Sequence, residues 1–142
     1  MARATVGVDI ERMPRPERVE LCRPALHPEE ERESAGVPAR DRPALFARLW
    51  ARKKACLKGT GEGVGGWTSA VYLGDEGPGT PPRPQGWSVL DVPYGPDHMA
   101  AAAIRGPVPR AAVHRLPAEA VPAGGRMPDS RTAAARTSLP CS

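Results

Sequence analysis

Asp41-Arg42-Pro43-Ala44-Leu45-Phe46-Ala47-Arg48-Leu49-Trp50-Ala51-Arg52-Lys53-Lys54-Ala55-Cys56-Leu57-Lys58-Gly59-Thr60-Gly61 is the stretch on which the fold turns. Asp41 suits an N-cap, and Pro43 stands just inside the first turn, where its missing N–H costs no hydrogen bond. Leu45, Phe46, Leu49, Trp50 and Leu57 recur at helical spacing and form an apolar stripe. Gly59 or Gly61 is the expected stop, since glycine readily takes the left-handed conformation that closes a helix. The reading is one long helix, packed by its stripe against a small sheet.

On the N-terminal side, Thr5-Val6-Gly7-Val8-Asp9-Ile10-Glu11 alternates with period two, as a half-buried strand does. Val6, Val8 and Ile10 are expected to face the core. Gly7, Asp9 and Glu11 then share the other face, with the two carboxylates about 6.7 Å apart along the strand. Residues 12–42 are rich in Pro, Arg and Glu; 27–33 read as a short helix with proline in its first turn, and the rest as loop. On the C-terminal side, 61–66 is a glycine-rich loop, 67–73 a short strand and 74–86 a turn-forming connection. Residues 87–92 and 98–104 pair as a hairpin through 93–97. Beyond Gly106 the periodicity dissolves, and the tail 106–142 is expected to be disordered, leaving 1–105 as the folded domain. The fold class expected is α+β, a small antiparallel sheet on a long helix.

Composition narrows the function. The 142 residues carry a net charge of +4, which suits a phosphorylated ligand or an acidic partner. Six aromatic residues, not interleaved with basic ones, make no stacking platform for nucleic acid. No apolar run approaches the roughly 20 residues of a membrane span, and no signal peptide precedes the first strand. Three cysteines, Cys22, Cys56 and Cys141, cannot form a closed disulfide set and lack zinc-site spacing, so a reducing cytoplasm is the expected location. All three lysines, Lys53, Lys54 and Lys58, lie within six positions.

Two acids at i and i+2 on one strand face, followed by a lysine-bearing helix and a glycine loop, form a candidate metal-phosphate site. Magnesium takes hard oxygen ligands and is commonly held by one or two carboxylates together with substrate phosphates. The competing reading, that Asp9 and Glu11 are only the solvated face of an edge strand, is the commoner fate of an isolated Asp-x-Glu.

Gly7-Val8-Asp9-Ile10-Glu11 and the later Trp50-Ala51-Arg52-Lys53-Lys54-Ala55-Cys56-Leu57-Lys58-Gly59-Thr60-Gly61-Glu62-Gly63 resemble, in order and spacing, the paired motifs of Sfp-type 4′-phosphopantetheinyl transferases. Residues 87–89 and 98–102 are similar to that family's final hairpin. The resemblance implies magnesium-dependent transfer of 4′-phosphopantetheine from coenzyme A to a serine of an acyl or peptidyl carrier protein. It implies metal ligation by Asp9 and Glu11, catalytic roles for Lys58 and Glu11, and cofactor contacts from Lys53, Lys54, Lys58, Gly61 and Gly63. Trp50 is read as a core anchor rather than a ligand.

Two departures from the family pattern qualify that expectation. Position 54 is Lys where the pattern has Glu, so a cation replaces the third carboxylate expected at the metal. The Sfp type is a pseudodimer, and this chain matches only its second half. The alternative reading is therefore a catalytically impaired remnant that binds coenzyme A or a carrier protein. Its exposed apolar surface would favour self-association or pairing with a separate first half.

Overall fold

The computed structural model describes residues 4–61, 67–107, 112, 114, 116, 117 and 141. The expected tail and the glycine-rich 62–66 fall largely or wholly outside these residues. The architecture is α+β, a three-stranded antiparallel sheet laid against one long helix.

That helix, α3 (Arg42–Thr60), has proline in its first turn and ends at Gly61, whose φ of 72° is the left-handed stop the sequence called for. The Gly61 N–H donates to the Leu57 carbonyl at 2.9 Å, satisfying one of the last-turn acceptors. The sheet comprises β1 (Val6–Arg12), β2 (Trp87–Val92) and β3 (His98–Arg105), in the order β1-β3-β2. The expected hairpin is present as the β2–β3 pair, and β1 joins its other edge with Gly7 opposite Ala103 and Asp9 opposite Ala101.

The faces of β1 are the reverse of the expectation. Val6, Val8 and Ile10 are 50%, 55% and 45% exposed, whereas Asp9 is 4% exposed. The cause is the approach of α3. A Cβ on Gly7 would lie 1.9 Å from the Ala55 carbonyl oxygen and 2.4 Å from the Gly59 nitrogen. Only glycine fits, so the Gly7 face is the one pressed on the helix, and the period-two alternation carries Asp9 and Glu11 to that side. Ala101 and Ala103, fully buried on β3, are small enough to keep the layers close and pack with Ala51, Ala55, Cys56 and Leu73.

A second apolar cluster lies on the N-terminal half of α3, where Phe46, Leu49 and Trp50 meet Val19, Cys22 and Leu26. Trp50 is 1% exposed and stacks on Phe46, which fits its reading as a core anchor. Val19 and Cys22 come from α1 (Pro16–Cys22), a helix in a stretch expected to be loop. Its seven residues are too few to show a periodic stripe. Cys22 is disulfide-bonded to Cys141, and Cys56 stays free and buried. Two of the three cysteines therefore do pair, and the cysteine argument for a reducing compartment lapses.

Helix α2 (Pro28–Gly36) appears where expected, opened by a capping box. The His27 side chain accepts from the Glu29 N–H, and Glu30 accepts from the His27 N–H. Residues 67–73 are not a strand: Trp67–Ala70 is a single helical turn, α4. The carbonyls of Thr68 and Val71 turn toward the Lys53 ammonium instead of a neighbouring strand. Among the described residues no helix is long and apolar enough to cross a membrane.

Candidate active site

The crossing of β1 over α3 determines the site. Gly7 meets the helix backbone between Ala55 and Gly59, which sets Asp9, two residues further on, beside the flank of α3 that carries Lys54 and Lys58. These lysines are four residues apart and so share that flank. The Lys58 ammonium donates to Asp9 Oδ1 at 2.7 Å. The Lys54 ammonium stands 3.0 Å from Glu11 Oε1 and 4.0 Å from Asp9 Oδ1. Four of the residues marked out by sequence are thereby brought together: Asp9, Glu11, Lys54 and Lys58.

The cluster is embedded on one side and open on the other. Side-chain exposure is 3% at Asp9, 16% at Glu11 and 18% at Lys54, but 53% at Lys58. Asp9 Oδ2 and Glu11 Oε1 are buried and accept no hydrogen bond. Burial pushes the Glu11 carboxyl up to about 7; the adjacent Asp9 carboxylate adds to the rise and Lys54 works against it. A carboxyl poised near neutrality can take up or release a proton at physiological pH. Beside Glu11 opens a cleft of about 270 Å³ bordered by Arg12, Met13, Arg18 and Trp50.

Whether these side chains fit a magnesium ion follows from the donor set. Two buried oxygens without hydrogen bonds are the kind of donor a hard cation seeks. Against that, Lys54 occupies the space between the two carboxylates and Lys58 holds Asp9, so two positive charges already match two negative ones. Among the described residues no group of three or more His, Cys, Asp or Glu is placed to hold a metal. The four residues as arranged do not fit a resident divalent ion.

Of the remaining expected contacts, Lys53 does not reach the site. It is wholly buried on another side of α3, 2.8 Å from the equally buried Glu30, and donates to the carbonyls of Thr68 and Val71. Burial lowers its pKa, and Glu30 opposes that shift. An ammonium spent on three internal acceptors cannot serve a cofactor. Gly61 is the stop of α3, and Gly63 lies outside the described residues.

Three features escaped the sequence reading. Gly7 and Gly59 are packing glycines: a Cβ on Gly59 would meet the Trp87 ring at 2.8 Å. A glycine inside a strand is the available signal for such an approach. Arg52 is the third. Its guanidinium makes a two-point contact with Asp91 at 2.7 and 2.6 Å and donates to the Leu73 carbonyl, tying α3 to β2. Nothing in the spacing of residues 52 and 91 announces that pair.

Residues 5–74 match the family model of the 4′-phosphopantetheinyl transferase superfamily. A Synechocystis protein whose name assigns it provisionally to the 4′-phosphopantetheinyl transferases is 34% identical over 67 residues, which cover 46% of this chain and 27% of that protein. The chain thus spans about a quarter of that relative's length. The matched segment contains Gly7, Asp9, Glu11, Lys54 and Lys58, and over it, just under half of its length, the chain is similar to the 4′-phosphopantetheinyl transferase superfamily.

Proposed function

We propose that this chain transfers the 4′-phosphopantetheine arm of coenzyme A to a serine hydroxyl of an acyl or peptidyl carrier protein. The observation that carries the reading is the convergence of Asp9, Glu11 and Lys58 from two distant motifs onto one partly open cluster inside the family segment. In the transfer, the serine oxygen bonds to the β-phosphorus of the pyrophosphate. The P–O bond to adenosine 3′,5′-bisphosphate breaks, and that group leaves with the electron pair. Glu11, poised near neutrality, is the candidate acceptor of the serine proton. Lys58, the most exposed of the four, is suited to hold the pyrophosphate, where charge on the leaving phosphate is stabilised. Magnesium, which the resemblance implies, would meet an acid pair already matched by Lys54 and Lys58.

A second reading is favoured by Lys54: a chain that binds coenzyme A or the carrier protein without catalysing transfer. Mass spectrometry of an apo carrier protein incubated with coenzyme A and this chain separates the two. The proposal expects the carrier to gain the phosphopantetheine mass, and Lys58→Ala to slow that gain by about 10²-fold, the loss typical of one electrostatic stabiliser. No gain with the native chain, but a gain with Lys54→Glu, would establish the binding-only reading.

A further inference from the structure

The acids of this family segment are closed off by the chain's own lysine. We infer that the Lys54 ammonium takes the place of a divalent cation between Asp9 and Glu11, so that the native chain has no affinity for magnesium or manganese alone. The inference concerns ion binding only and does not depend on whether transfer occurs.

Geometry is the first support. An ion ligated by both carboxylates must lie between them, at about 2.0–2.1 Å from each oxygen. That space is occupied by Lys54, 3.0 Å from Glu11 Oε1 and 4.0 Å from Asp9 Oδ1. Charge is the second. With Lys58 2.7 Å from Asp9, the two carboxylates face two ammonium groups, and a further double positive charge meets no net attraction. The third support is that Lys54 is poorly placed to leave. Its side chain is 18% exposed, against 53% for Lys58, and it emerges from a helix pinned to β1 by the close contact at Gly7. Displacing it would separate a partly buried ammonium from the Glu11 carboxylate, which has no other cation within 4 Å among the described residues. The ammonium is thus a tethered monovalent substitute. Unlike a metal ion, it cannot be chelated away, and it offers no open coordination position to a ligand.

The test is titration of the full chain with Mn2+, read by the loss of free-ion electron paramagnetic resonance signal, beside Lys54→Met, Lys54→Glu and Asp9→Asn. The native chain is expected to bind Mn2+ no better than Asp9→Asn does. Lys54→Met, which keeps the length of the side chain without its charge, is expected to bind at least about tenfold more tightly than the native chain, and Lys54→Glu more tightly again. Chelator should lower the melting temperature of metal-loaded Lys54→Glu and leave the native chain unchanged. Native binding that is abolished by Asp9→Asn would overturn the inference, and that comparison needs no Lys54 variant to fold. Equal affinities of the native chain and a folded Lys54→Met would overturn it too.

Discussion

Lys53 and Lys54 are neighbours in the chain, yet one is a structural pin and the other is part of the candidate site. A single residue step turns the side chain by about 100° around a helix. On one side Lys53 enters a sealed pocket, where Glu30 and two carbonyls match its three donors. On the other Lys54 reaches the acids of β1 and pairs with Glu11 at 3.0 Å, while Asp9 Oδ2 stays without a hydrogen bond. The buried pair is saturated and the site is not. Unspent polar capacity is what distinguishes a place that can still take a ligand from one that only holds the fold.

Breaking the sealed pair should have the largest effect. Glu30 holds the start of α2, the Leu73 N–H and Lys53 at once, so Glu30→Gln should cost about 3–5 kcal/mol in urea unfolding, because it leaves an ammonium buried and uncompensated. Gly7→Ala comes next. Its methyl must displace the α3 backbone, and about 1–3 kcal/mol should be lost together with the pairing of Lys58 and Asp9.

The site should respond to pH through Glu11. Folding raises the Glu11 pKa from 4.5 to about 7, so the folded state holds that proton more tightly than the unfolded chain. The resulting stability is fully present below about pH 4.5 and is lost as pH rises through 7. Glu11→Gln should therefore flatten the fall in melting temperature between those values, and an unchanged profile would remove Glu11 as its source. Lys58→Ala takes an exposed ammonium away from a buried carboxylate, so it should cost about 1–3 kcal/mol, and transfer should collapse.

The strand, the long helix and the terminal hairpin were legible because each rests on local chemistry: period-two alternation in 6–11, a stripe with a glycine stop in 42–61, and turn residues between 92 and 98. The orientation of β1 was not. Val6, Val8 and Ile10 look like core by hydrophobicity alone, and only the approach of α3 to Gly7 turns them outward. Their exposure gives the expected self-association a definite surface, and Val8→Lys should shift a dimeric population toward monomer in light scattering. The meeting of Asp9, Glu11 and Lys58 followed the two motifs that carry the family resemblance. The fate of Lys53 was not, because its partner Glu30 comes from a capping box whose role in the core shows only in three dimensions.

The division of labour between consecutive lysines is tested most directly by denaturant unfolding of Lys53→Met and Lys54→Met side by side. The account predicts a loss of about 3–5 kcal/mol for Lys53→Met, which strands a buried Glu30, and a change within about 1 kcal/mol for Lys54→Met, where Asp9 keeps Lys58 and Glu11 can take up a proton. Equal losses, or a larger loss at Lys54, would contradict it.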